Sequence, residues 1–187
     1  MSFLDRLVRA PAGDPGTDAP TQGAVAGETE TVRRIAARLA SLPPGRARFL
    51  AGFAYVLARA AHADLQISDA ETTVMAAALV ELGGLDEAQA LLVVEMAKLR
   101  SLAEFGTEDY LVTREFSGIA TDEEKLAVLR ACFAVSAADD EISNEEAQTV
   151  NEIARELDID RPALNAVREA YVDRFSAIRA ARRLARR

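Results

Sequence analysis

The chain has 187 residues, half of them apolar, with no tryptophan, a single cysteine and a formal charge of -8 at pH 7. That length supports one domain with a proper core plus tails, and the Ala- and Leu-rich, aromatic-poor composition points to close-packed helices. The acidic balance argues against nucleic acid as a main partner, because phosphate contacts are made by Lys and Arg; the lone Cys132 excludes an internal disulfide and fits a reducing compartment.

Residues 1–10 set Phe3, Leu4, Leu7 and Val8 among Asp5, Arg6 and Arg9, a short amphipathic segment. It is too short and too charged for a signal peptide, and no stretch approaches the ~20 apolar residues of a membrane span. The expectation is therefore a cytoplasmic protein. The segment docks on the body or a partner, or else lies on a membrane surface. Residues 11–27, rich in Pro, Gly, Thr and Asp, read as a flexible linker. Val32, Ile35, Ala36 and Leu39 predict a helix over 28–42, ended by Pro43-Pro44. A helix over 46–63 presents Phe49, Leu50, Phe53, Val56, Leu57 and Ala60 and should be central. His62 near its end is a metal ligand or a histidine favoured by the helix dipole.

Further helices are predicted over 69–82, closed by Gly83-Gly84, and over 86–105, where Glu95 is either a buried acid or pairs with Lys98 or Arg100 at the helix edge. A short one opens at Thr107-Glu108-Asp109 and runs to 117. Thr121-x-x-Glu124 opens a helix over 122–138, followed by one over 144–157. Asp160 caps a last helix with Pro162 in its first turn. The spacing of Leu164, Val167, Tyr171, Phe175 and Ile178 predicts that it runs unbroken into the arginines and frays beyond Arg179. The fold class is all-α, a single bundle of about seven to eight helices over 28–173, flanked by the 1–27 segment and a basic tail at 174–187.

Two stretches between helices share the pattern A-D-x-x-I-S-x-x-E: Ala63 to Glu71 and Ala138 to Glu146, at an offset of 75 residues. Glu81, Leu82 and Ala88 recur as Glu156, Leu157 and Ala163, which marks an internal repeat. Ser68-x-x-Glu71 and Ser143-x-x-Glu146 have the capping-box form, worth about 0.5–2 kcal/mol each. Ile67 and Ile142 stand where a hydrophobic staple would begin, but Thr72 and Ala147 make poor staple partners. Capping leaves the aspartates unexplained. Asp64 and Asp139 fall at helix C-terminal ends, where the dipole disfavours an acid. Either their carboxylates accept the next backbone N–H groups in an Asx-type turn, or the turns hold a cation. The cation set is Asp139, Asp140 or Glu141, and Glu146, with Asp64, Asp69 and Glu71 as the counterpart. An EF-hand is excluded: its loop needs glycine at the sixth position and glutamate at the twelfth, which are Asn144 and Val150 in one copy and Asp69 and Met75 in the other.

The paired turns, the apolar run Ala131 to Ala138 and the following Ile153-Ala154-Arg155-Glu156-Leu157 resemble the TerB family of bacterial tellurite-resistance proteins, over roughly residues 45–173. The first copy has Leu65-Gln66 where the family has Gly-Glu, and in the second Asp140 replaces the glycine. The resemblance implies an all-helical, pseudo-twofold, cytoplasmic domain in systems answering tellurite, oxidative or phage stress, with membrane-embedded TerC-type partners. It also implies metal chelation by the acidic turns and no catalytic activity.

No phosphate-cradling glycine loop, zinc spacing or nucleophile elbow is present. The expected function is non-enzymatic binding through the two turns. Asp64, Glu71, Asp139, Asp140 and Glu146 would hold Ca²⁺ or Mg²⁺, with Ser68 and Ser143 as caps, or the turns would receive a basic partner surface. Direct metalloid chemistry would need a softer thiol site than Cys132, a core residue. The alternative is a scaffold at the inner membrane face acting through residues 1–10 and the tail. That tail carries Arg174, Arg179, Arg182, Arg183, Arg186 and Arg187 with no acid. It would meet anionic lipid or an acidic protein surface, including its own body, or simply suit the helix dipole.

Overall fold

A computed structural model describes residues 37–61, 67–104 and 109–186, giving the backbone alone over 99–104. Among these residues eight α-helices follow one another: α1 Pro44–Ala61, α2 Asp69–Glu81, α3 Glu87–Glu104, α4 Asp109–Ile119, α5 Asp122–Ser136, α6 Asn144–Glu156, α7 Arg161–Glu169 and α8 Ser176–Ala185. A 3₁₀ turn, Val172–Arg174, separates the last two. The predicted helix over 28–42 lies outside the described residues except for its final turn at 37–40. That turn is closed by the Ser41 N–H and hydroxyl on carbonyls of Ala37 and Arg38.

Pro44 begins α1, where its missing N–H has no helical partner to lose. From Phe49 onward nearly every residue of α1 is buried, Gly52 and Arg59 included. A helix that is apolar all round belongs at the centre of a bundle, and α1 packs against α2, α3, α4, α5 and α6. Gly52 permits a close approach to α4, since a Cβ there would stand 2.7 Å from Cδ2 of Phe116. Arg59 is held by Glu156 of α6, by Glu152 at 3.7 Å and by the Thr113 hydroxyl of α4 at 3.1 Å. One buried guanidinium thus ties three helices together.

Some helix limits recur at a fixed offset, although the starts of α1 and α5 do not. α1 ends at Ala61 and α5 at Ser136, and the bounds of α2 and α6 correspond at the same offset as the sequence motif. Buried Glu71, Met75 and Leu79 on α2 correspond in this register to Glu146, Val150 and Ala154 on α6. Aromatic and aliphatic groups fill the space between: Phe53, Leu57, Phe116, Leu129, Phe133, Ile142, Ile153 and Leu157 are fully buried.

Two expectations about the C-terminus need correction. The last helix is not continuous, because it stops at Glu169 and α8 begins only at Ser176. Phe175 is extended there, at φ −66° and ψ 125°. Its backbone pairs with Ile142 in an isolated parallel β-bridge. Nor does the chain fray beyond Arg179: α8 continues to Ala185, in a run of good helix formers steadied by an Arg182–Asp173 ion pair. No helix among the described residues is long and apolar enough to cross a membrane.

Candidate functional site

Reciprocal caps shape the described turns before α2, α3, α5 and α6. The Ser143 N–H donates to Glu146 Oε2 at 2.7 Å, and the Glu146 N–H donates to Ser143 Oγ at 3.1 Å. Ser68 and Glu71 repeat this at 2.7 and 3.2 Å, and Thr121 and Glu124 do so before α5. Asp86 and Gln89 make a similar reciprocal pair before α3, and D-x-x-Q is the sequence signal that marks it. Glu71 and Glu146 are only 5% and 7% exposed. Their carboxylates lie beneath the turns, spent on backbone N–H groups.

The second turn then presents three acids in a row. Asp139 is exposed and makes no hydrogen bond or ion pair with any described residue, so its carboxylate does not form the Asx-type turn considered above. Asp140 sits at φ +71°, the left-handed region that glycine adopts freely and aspartate tolerates. Its carboxylate lies 2.6 Å from Arg174 Nη1, and Glu141 lies 3.3 Å from Arg179 Nη1. The same two guanidinium groups donate to the carbonyls of Ala137 and Asp140, each at 3.0 Å. Between the two arginines the backbones join: the Ile142 N–H donates to the Arg174 carbonyl at 2.8 Å, and the Ser176 N–H to the Ile142 carbonyl at 2.9 Å.

Beneath this rung Phe175 meets Phe133 edge-on with centroids 6.3 Å apart, and Tyr171 stacks on Phe133 at 5.5 Å. Arg168 lies over the Phe175 ring. Beside the rung a cleft of about 320 Å³ is lined by Glu141 and Asn144 on one side and Ser176, Arg179, Ala180 and Arg183 on the other. The basic tail therefore lies on the acidic turn of its own body. An acidic surface of its own body is one of the partners expected of the tail, and Asp140 and Glu141 are the residues that provide it. The opposite charges were visible; the pairing of Arg174 and Arg179 with Asp140 and Glu141 depends on the break before α8.

The first turn is described only from Ile67 onward, so Asp64 and His62 lie outside the described residues. Of its acids, Asp69 opens α2 and Glu71 caps it. Among the described residues no three His, Cys, Asp or Glu side chains come together in a set that could hold a metal ion. Of the described residues in the cation set, Glu71 and Glu146 hold caps, Asp140 holds Arg174 and Glu141 holds Arg179, while Asp139, like Asp69 in the first turn, keeps an exposed carboxylate with no described partner. Cys132 is sealed within the core, and burial pushes its thiol up to about 12 against the opposing pull of the Arg59 charge. Such a thiol stays protonated and is neither a ready nucleophile nor a soft-metal ligand at neutral pH.

No curated protein and no solved structure matches the chain. The family model described as tellurite resistance protein TerB matches residues 49–169. That span begins inside α1, takes in both turns, ends with α7 and covers more than half of the sequence. The chain belongs to the TerB family of tellurite-resistance proteins.

Proposed function

We propose that the chain is a non-enzymatic TerB-family binding domain of a tellurite-resistance-associated system, and that its second acidic turn takes a cationic ligand. The observation that carries this reading is the seating of Arg174 and Arg179 on Asp140, Glu141 and two turn carbonyls. A turn that gathers positive donors onto carboxylate and carbonyl oxygens within its own chain offers the same oxygens to a ligand from outside. Guanidinium groups of a partner suit it, since charge-assisted bonds to carboxylates are short and directional. A membrane-associated TerC-type protein, as the family resemblance implies, is one such partner, met from the cytoplasmic side. Ca²⁺ or Mg²⁺ is the second occupant, favoured by the exposed Asp139 one position from Asp140; hard cations of this kind take carboxylate and carbonyl oxygens. In that case Asp140 exchanges Arg174 for the ion, Glu146 and Ser143 keep the turn in shape, and Asp64 with Glu71 forms the counterpart in the first copy.

The test is thermal unfolding of the full chain with millimolar Ca²⁺, with millimolar Mg²⁺, and with an excess of a synthetic arginine-bearing peptide. Asp139→Asn and Ser143→Ala are run beside the wild type. A ligand at 100 times its dissociation constant stabilises by roughly 2.7 kcal/mol. The expected result is a raised Tm with at least one probe, lost in Asp139→Asn. Ser143→Ala lowers the baseline by a cap's worth, about 0.5–2 kcal/mol, and keeps the shift. No shift with any probe removes the proposal.

A further inference from the structure

We infer that residues 172–186 are a resident occupant of the second turn, an autoinhibitory latch that lifts before an outside cationic ligand enters. The inference rests on the reading of that turn as a cation-binding surface. Arg174 engages Asp140 and the Ala137 carbonyl, and Arg179 engages Glu141 and the Asp140 carbonyl, so that of the turn's three consecutive acids only Asp139 is left open. The remaining ties are one rung of backbone pairing at Ile142 and the Phe175 ring, which meets Phe133 and lies under Arg168.

The contacts are of a kind that can part. Both acids are half exposed or more, with Asp140 83% and Glu141 50% open to solvent, so salt screens the pairs. Neither the 3₁₀ turn nor α8 buries a single residue. Phe175 and Tyr171 are half-buried, so lifting the segment uncovers only the faces of Phe133 and Ile142 that Phe175 meets. Arg182 is paired with Asp173 inside the segment, which lets the turn and α8 move as one unit. The match to the family ends at residue 169, so the turn lies inside it and the latch lies outside.

The experiment uses the full chain, as wild type and as the double variant Arg174→Gln with Arg179→Gln. Hydrogen exchange is followed at the amides of Ile142 and Ser176, with those of α5 as an internal control of folding. Raising NaCl from about 50 to about 500 mM lowers protection at both amides in the wild type. The double variant lowers it by about tenfold or more at low salt, and α5 is unchanged in both cases. Apparent affinity scales with the competent fraction, so calorimetric titration with Ca²⁺ finds the variant binding tighter by a similar factor. Unchanged exchange at Ile142 and Ser176 overturns the latch, as does an opened latch with no gain in Ca²⁺ affinity. If Ca²⁺ binds neither protein, the divalent-ion reading of the turn fails on its own account, and a peptide of residues 170–187 added in trans decides the latch. Tighter binding to the variant than to the wild type supports it; equal binding, or none, overturns it.

Discussion

Cys132 shows how far burial alone sets the chemistry of a side chain. Its thiol is raised from 9.0 to about 12 by loss of solvent, despite the nearby charge of Arg59. In the unfolded chain it ionises near its ordinary value, so its contribution to stability is complete below about pH 9 and is lost as pH climbs towards 12. The expected outcome is a wild-type advantage over Cys132→Ala that shrinks by about 1.4 kcal/mol for each pH unit above 9, read from urea unfolding at a series of pH values. An advantage constant with pH would show that the thiol reaches solvent. At this scale the sequence is legible where chemistry is local. Ser-x-x-Glu spells a capping box, and the geometry at 68–71 and 143–146 has it, as does the Thr-x-x-Glu form at 121–124. Whether Glu71 and Glu146 point into solvent or under the turn is decided by what packs over them, which spacing does not carry.

Helix elements were legible for a similar reason, because apolar positions three and four apart mark α1 to α6 within about two residues of their limits. The break before α8 was not. Leu164, Val167, Tyr171, Phe175 and Ile178 keep helical spacing straight through it, and no glycine or proline interrupts them. Tertiary contacts override that pattern, with Ile142 claiming the backbone at 174–176 and Phe133 claiming the rings of Tyr171 and Phe175. The contact of α1 with α4 carries its own prediction. Gly52→Ala gains about 1 kcal/mol of helix propensity but drives a methyl to 2.7 Å from Phe116, and overpacking of this kind costs about 1–3 kcal/mol. A lowered denaturation midpoint is expected. Relief by Phe116→Leu in the same background would confirm the cause, and a raised midpoint in the single variant would refute it.

Across the whole molecule, charge is arranged in two opposite ways. Inside, Arg59 joins α1 to α4 and α6 through Thr113, Glu152 and Glu156. Its side chain is 9% exposed and that of Glu156 13%. Removing one partner of a buried pair strands the other, so Arg59→Met is expected to cost about 3–5 kcal/mol, with much of it recovered by Glu156→Leu in the same chain. A double-mutant cycle of unfolding free energies measures this, and additive single losses would show no coupling. All-helical architecture was legible from composition and period, whereas Arg59 was not singled out, because a guanidinium on an apolar helix declares its partners only once the helices are assembled. Outside, the basic end lies on the acidic turn, and a single backbone angle bears on that arrangement. Asp140 occupies a left-handed position that suits glycine better, yet only a side chain there adds a carboxylate to the Ala137 carbonyl that Arg174 already meets. Attachment of the C-terminus is therefore a graded trait: one codon changed to glycine relaxes the turn and removes the Asp140–Arg174 pair while the Glu141–Arg179 pair, the carbonyl contacts and the Ile142 rung stay, so a lineage could loosen or tighten a docked end without rebuilding its domain.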